Sequence, residues 1–343
     1  MDFLNNAWYV AGWSSEFSSV MRSIKLLNKK IVIFRNSQGR IVALEDCCPH
    51  RLLPLSMGKL IGDNIECGYH GLTFNCDGVC IRVPGQKKIQ QSLRVNTFPI
   101  SEKNDIVWIW MGEKSLSKNA EIFDMPQFSK SGWEMRQGEA LYINSNYLNV
   151  AENLVDPAHV SFVHPTTLGN SASKDVPVEF DTKGDVIVAW RWIKNSPPVG
   201  FFKEFPGYKK NVDRWHYYYL YLPSIAVIDF GSADSKQNIQ EEDRHLGTQI
   251  FAIHFLTPVS NNLTIDRWMH LRNVAVGDDV ASKKIDSMFK IAFAEDKKIL
   301  EAIQKQMDTH QSKEFVHIGI DKGSISFRKK IKELIKLESK PKL

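Results

Sequence analysis

The chain has 343 residues and a formal net charge of +5, with 43% hydrophobic and 24% charged residues. That length suits two domains, and the balance is that of a globular protein rather than a disordered or fibrous one. No apolar run is long enough to cross a bilayer. The surplus charge lies in one stretch, 328–342, without interleaved aromatics; this reads as a solvated basic face and not a nucleic-acid surface.

The N-terminus, Met1 to Asn6, lacks the basic and apolar regions of a signal peptide, so the cytoplasm is the expected compartment. All five cysteines (Cys47, Cys48, Cys67, Cys76 and Cys80) fall in the first 80 residues, which favours metal use over a disulfide scaffold. Apolar runs at 31–34 and 41–44 flank Asn36-Ser37-Gln38-Gly39, a hairpin signal. Next come Cys48-Pro49-His50 and Cys67-Gly68-Tyr69-His70, a C-x-H and a C-x₂-H run with 16 residues between them. Two thiolates and two imidazoles can hold a [2Fe–2S] cluster whose second iron takes histidines. They can also hold structural zinc, but zinc sites usually pair like ligands, and here each pair is mixed. Pro49 stiffens the first loop, while Gly68 and Gly71 loosen the second. On spacing alone Cys47 competes with Cys48, and Cys76 and Cys80 read as unpaired thiols.

Cys48-Pro49-His50-Arg51 with Pro54-Leu55-Ser56-Met57-Gly58, followed by Cys67-Gly68-Tyr69-His70-Gly71-Leu72, resembles the Rieske domain of ring-hydroxylating and demethylating oxygenases. The resemblance selects Cys48, His50, Cys67 and His70 as cluster ligands. A turn at Asp77-Gly78 and an apolar strand at 106–111 complete a set of short strands, the pattern of a small antiparallel sandwich. The expected division is therefore an all-β domain over 1–112, a polar linker over 113–127, and a second domain over 128–343.

In that second domain, apolar residues at spacings of three and four predict one helix over 147–163. Strands are expected at 186–192, 216–222, 249–256 and 263–271, rich in β-branched and aromatic residues. The stretch 200–213 reads as a long loop or lid. Helices are expected over 279–308 and 328–337, giving an α+β domain in which an antiparallel sheet wraps one long helix, a helix-grip arrangement. His159 and His164 would point about 140° apart on a regular helix, so they converge only if the helix breaks; otherwise they are two structural histidines. Pro165 favours such an end.

Asn153-Leu154-Val155-Asp156-Pro157-Ala158-His159, continuing to His164, resembles the segment that precedes the mononuclear iron of the same oxygenases. The resemblance implies a facial triad of His159, His164 and a downstream carboxylate, with open positions for O₂ beside substrate. Phe293-Ala294-Glu295-Asp296-Lys297-Lys298 is similar to the carboxylate segment; Asp296 matches the ligand, with Glu295 as its rival. By the same resemblance Asp156 links His159 to His70 of a neighbouring chain, which implies a ring, most simply a homotrimer. The finer similarity is to the O-demethylases of vanillate and related methoxy-aromatic acids. It runs from Ala7-Trp8-Tyr9-Val10-Ala11 to Ile253-His254-Phe255-Leu256-Thr257-Pro258. It makes Asn153 and His254 the expected substrate contacts, and Tyr217, Tyr219, Tyr221 and Ser224 the expected pocket residues. No G-x-G-x-x-G occurs, so electrons are expected from a separate NAD(P)H-dependent reductase, directly or through a ferredoxin. N-demethylation and methyl or ring hydroxylation of another small organic substrate share these motifs. A Rieske electron carrier would leave the second domain idle.

Overall fold

The computed structural model describes residues 3–310 and 314–339. Met1 and Asp2 of the N-terminal reading, and Lys340 and Lys342 of the basic stretch, lie outside the described residues. The chain divides into two units, one of Met1–Phe123 with Thr257–Asn261, the other of Asp124–Leu256 with Asn262–Leu343. The stretch 113–127 spans that division and carries two single turns, Lys114–Lys118 and Pro126–Phe128.

The first unit is built from ten short strands: β1 (Trp8–Trp13), β2 (Arg22–Leu26), β3 (Lys29–Arg35), β4 (Ile41–Glu45), β5 (Lys59–Ile61), β6 (Asn64–Glu66), β7 (Thr73–Phe74), β8 (Cys80–Arg82), β9 (Ile100–Lys103) and β10 (Ile106–Trp110). They form three sheets, ordered β1-β10-β9, β2-β3-β4 and β5-β6-β7-β8. Ile31, Val32, Ile33 and Phe34 are all buried, which is why β3 reads as a continuous apolar run instead of an alternating one. The expected β3–β4 hairpin is present. The Asn36 side chain accepts from Gln38 and Arg40 N–H, and Gly39 takes the left-handed conformation at φ +77 that the turn requires.

In the second unit come β11 (Glu134–Gln137), β12 (Leu141–Ile143), helices α1 (Tyr147–Asn153) and α2 (Val160–Val163), then β13 (Glu179–Lys183), β14 (Val186–Ser196), α3 (Gly200–Glu204), β15 (Val212–Tyr221), β16 (Ile225–Asp234), β17 (Thr248–Ser260) and β18 (Leu263–Arg272). Two helices follow, α4 (Asp279–Thr309) and α5 (Lys322–Glu338). The strands make one eight-stranded sheet, ordered β11-β18-β17-β16-β15-β14-β13, with β12 also paired to β18. Asp278 caps α4 by accepting from the Val280 and Ala281 N–H groups. Its buried residues, Ala281, Ile285, Phe289, Ala292, Phe293, Asp296 and Leu300, recur every three or four positions. The expected α+β architecture is therefore present.

Two expectations change. The helix over 147–163 is two helices, because Pro157 lacks the N–H a continuing helix needs and pushes Asp156 out of helical geometry. The stretch 200–213 is not an open loop. α3 buries Phe201 and Phe202 completely, with ring centroids 5.7 and 6.0 Å from that of Phe230. The short strands β11 to β13 carry too little apolar pattern to stand out; β13, Glu179–Lys183, alternates exposed and half-buried residues at the sheet edge.

Candidate metal centres

The two ligand loops of the first unit are closed in the same way despite their different spacings. Cys48 N–H donates to Leu53 O and Leu52 N–H to Cys48 O; equally, Cys67 N–H donates to Leu72 O and Gly71 N–H to Cys67 O. The residue four past each cysteine is left-handed, Leu52 at φ 60 and Gly71 at φ 71. These frames bury both sulfurs and leave both imidazoles exposed, with the His50 and His70 ring centroids 4.5 Å apart. Burial above all, and then the adjacent Cys67 thiol, push the Cys48 thiol up, so a thiolate here needs a cation nearby. Sulfur inside and imidazole outside, with no carboxylate in the set, fits a [2Fe–2S] cluster whose histidine-bound iron faces solvent.

Asp46 supports the first loop in a way the motif does not disclose. Its buried carboxylate accepts from Ser56 N–H at 2.7 Å, Ser56 Oγ at 2.7 Å and Ser23 Oγ at 2.6 Å. Gly58 passes so close to the β6 backbone that a Cβ would lie 2.1 Å from Glu66 O. Cys47, Cys76 and Cys80 are free thiols.

In the second unit the helix interruption after α1 brings together His159, His164 and Asp296, whose ligand atoms lie within 4.8 Å of one another. His159 precedes α2 and His164 follows it, leaving helical geometry at φ −117, ψ 47 before Pro165. A four-residue helix thus carries one imidazole at each end, with ring centroids 5.4 Å apart. Asp296 lies on the buried stripe of α4 and faces both rings, with Oδ1 3.5 Å from His159 Nε2 and Oδ2 3.1 Å from His164 Nε2. Burial alone would raise its pKa, but the two histidines and Asn153 outweigh that and hold it below the usual carboxylate value. For His164, burial is likewise the largest influence and is outweighed by Asp296 and Glu295, which raise its pKa.

Each outer imidazole nitrogen faces a second acid. Glu295 Oε2 is 2.7 Å from His164 Nδ1, and Asp156 Oδ2 is 3.5 Å from His159 Nδ1. Glu295 therefore lies on the far side of His164 from the convergence point, where Asp296 sits. Asp156 Oδ1 also accepts from Ala158 N–H at 2.7 Å. Asn153 Nδ2 donates to Asp296 Oδ1 at 3.2 Å, and its Oδ1 is buried without a hydrogen-bond partner among the described residues. Two convergent Nε2 atoms and a depressed carboxylate fit a divalent iron with open positions.

Asn153, His159, His164 and Asp296 line one cleft. The sheet supplies one wall through His216, Tyr218, Ile228, Phe230 and Ala252, and α4 supplies Phe289 and Phe293. The expected pocket tyrosines are one residue out of phase. Tyr217 and Tyr219 point to the opposite face of β15, where Tyr217 stacks on Trp190 and lies beneath Arg244, 3.6 Å from its ring. Tyr221 and Ser224 are not among the cleft residues. Asn153 lines the cleft. His254 is buried behind Phe293, its Nδ1 2.8 Å from Asp266 Oδ2 and its Nε2 unpartnered among the described residues. No helix of the described residues is long and apolar enough to cross a membrane.

Comparison with known proteins finds two family matches along the chain. Residues 7–99 match the Rieske [2Fe-2S] domain, and residues 143–337 match the vanillate O-demethylase oxygenase C-terminal domain. The chain is 33% identical to the toluene-4-sulfonate monooxygenase system iron-sulfur subunit of Comamonas testosteroni, over 98% of each chain. It is 28% identical to the vanillate O-demethylase oxygenase subunit of a Pseudomonas species, covering 98% of this chain and 96% of that one. Dicamba monooxygenase bound to 3,6-dichlorosalicylic acid superposes with a TM-score of 0.88 at 25% identity, over 99% of this chain and 100% of the other.

Proposed function

Because the chain belongs to the Rieske oxygenases, with a catalytic domain of the vanillate O-demethylase kind, we propose that it oxidises the methyl group of a methoxy-aromatic acid such as vanillate. The observation that carries this is the cleft, in which His159, His164 and Asp296 adjoin flat aromatic and aliphatic walls suited to a planar ring. When bound, the mononuclear iron supplies O₂ activation and the [2Fe–2S] cluster supplies electrons.

The chain's own residues position and shield. Asn153 fixes the Asp296 carboxylate, and Glu295 and Asp156 each face the outer nitrogen of one imidazole. Phe230, Phe289 and Phe293 exclude water and hold the ring. Asp156 also serves as the link from His159 to His70 of a neighbouring subunit in a trimer; its partial exposure and that of His70 support this. A separate NAD(P)H-dependent reductase, directly or through a ferredoxin, delivers two electrons. One atom of O₂ enters the O–CH₃ carbon, and the other leaves as water with two protons. The resulting hemiacetal separates into formaldehyde and a phenol.

Similarity to the toluene-4-sulfonate monooxygenase subunit favours a second reading, hydroxylation of a ring methyl group in an aromatic sulfonate. The two are separated by product. With a reductase and NADH, formaldehyde from 4-methoxybenzoate supports demethylation, and a benzylic alcohol from 4-methylbenzenesulfonate supports hydroxylation. O₂ uptake with neither product would sink both.

A further inference from the structure

Two arginines beside the cleft have no acid to pair with. Arg191 on β14 and Arg214 on β15 are 1% and 0% exposed, a costly place for an uncompensated charge. Their hydrogen-bond partners are all neutral. Arg191 donates from Nη1 to Ser173 O at 2.7 Å and from Nε to His216 Nδ1 at 3.4 Å. Arg214 donates from Nη2 to Asn170 Oδ1 at 2.9 Å and from Nε to Ser196 Oγ at 3.5 Å. Arg191 Nη2 and Arg214 Nη1 are buried with no partner among the described residues. Burial first, and then the charge of Arg191, push Arg214 down to about 10; the charge of Asp156 reaches Arg191 only through space.

The sheet register places these groups on the sheet face that lines the cleft, next to the lining residue His216. Arg191 lies opposite His216, and His216 lies opposite Phe230, both cleft residues. Arg214 is two residues from His216 on β15, hence on the same face, and lies opposite Ser232 on β16. The Ser232 hydroxyl is also buried and unpartnered, as is that of Thr167, which precedes the cleft residue Leu168. His216 accepts the Arg191 N–H at Nδ1, which places the proton of the neutral ring on Nε2. Guanidinium groups only donate, and hydroxyls can donate too. Unfilled donors grouped beside the cleft, with no carboxylate hydrogen-bonded to them, match an oxyanion and not a cation or an apolar group.

Building on the oxygenase role above, we propose that Arg191 and Arg214, with Ser232 and Thr167, seat the carboxylate or sulfonate head of an aromatic substrate. The ring lies along His216 and Phe230 and directs its far substituent toward Asp296. The anion supplies the charge and acceptors that both guanidinium groups lack, so binding selects acids over their neutral isosteres.

The test is calorimetric titration of the iron-loaded protein with 4-methylbenzenesulfonate, 4-methoxybenzoate and two neutral isosteres, methyl 4-methylphenyl sulfone and methyl 4-methoxybenzoate. The expected result is binding of the acids at least tenfold tighter than their isosteres; the tighter acid identifies the head group. Arg191→Gln and Arg214→Gln should lower that ratio about tenfold, with Arg214→Lys retaining part of it and iron content unchanged. A purely structural role would weaken acids and isosteres alike and leave the ratio intact. Equal affinities in the unsubstituted protein overturn the proposal without any variant. Turnover of neutral aromatics with no preference for acids removes the anion seat but keeps the oxygenase role. Acid-selective binding without turnover of any aromatic does the reverse.

Discussion

At the scale of single residues, each proposed ligand set draws on few residue types, thiols with imidazoles in one unit and imidazoles with a carboxylate in the other. Cys48, His50, Cys67 and His70 occur as mixed pairs, and His159, His164 and Asp296 lie in motif order. What spacing could not supply was the division of labour between Glu295 and Asp296, adjacent acids on one helix. Burial supplies it: Asp296 shares the phase of Phe289, Ala292, Phe293 and Leu300, and Glu295 does not. Replacing Glu295→Gln should leave the cluster's visible absorption intact and weaken mononuclear iron binding about 10- to 100-fold, since a carboxylate behind a metal-binding histidine orients it. Iron content after dialysis against a graded chelator measures this, and unchanged retention would limit Glu295 to a surface contact. Replacing Asp156→Asn should keep both metals yet slow oxidation of the reduced cluster during turnover by about tenfold or more. Stopped-flow absorbance reads that step, and an unaltered rate would remove Asp156 from the electron route.

Elements were harder to place than residues. One apolar period runs from 147 to 163, yet the structure breaks it at Asp156-Pro157, and only that break lets residues five apart face one point. The wall of the cleft is hidden in the sequence for a different reason. In β15 nearly every residue is buried, so alternation does not reveal which face meets the cleft; pairing with β14 and β16 decides it. His216 is hidden on the same account; Arg191 and Arg214 beside it are buried charges within apolar strands, which the sequence does display. The cluster loops allow a direct test of local geometry. Leu52 holds a left-handed backbone while its side chain is 71% exposed and contributes little packing. Relief of that strain exceeds the entropic cost of glycine, so Leu52→Gly should stabilise the first unit by about 1 kcal/mol. A higher midpoint for thermal loss of cluster absorbance is expected, and a lower one would mean that Leu52 contributes contacts its exposure does not suggest.

For the whole molecule, length and composition already indicated two domains, and the all-β unit followed by a sheet with a long helix was readable from the order of patterns. The inserted segment Thr257–Asn261 was not, since a hairpin tip counted with the other unit leaves no compositional mark; Leu27 N–H donates to Pro258 O and Thr257 Oγ1 to Val10 O within that unit. Because each unit holds its own proposed ligand set, a mild chelator should remove one of about three irons per chain and leave the cluster's absorption in place. Simultaneous loss of all iron would contradict two separate sites. In the second unit, the residues proposed to hold iron come wholly from α4 and the segment around α2, whereas one wall of the cleft comes from β15, β16 and β17. Side chains on those strands can change without disturbing the residues proposed to hold the iron. Divergence toward new substrates can therefore proceed on the sheet, one inward-facing position at a time, while the oxidising chemistry is inherited intact.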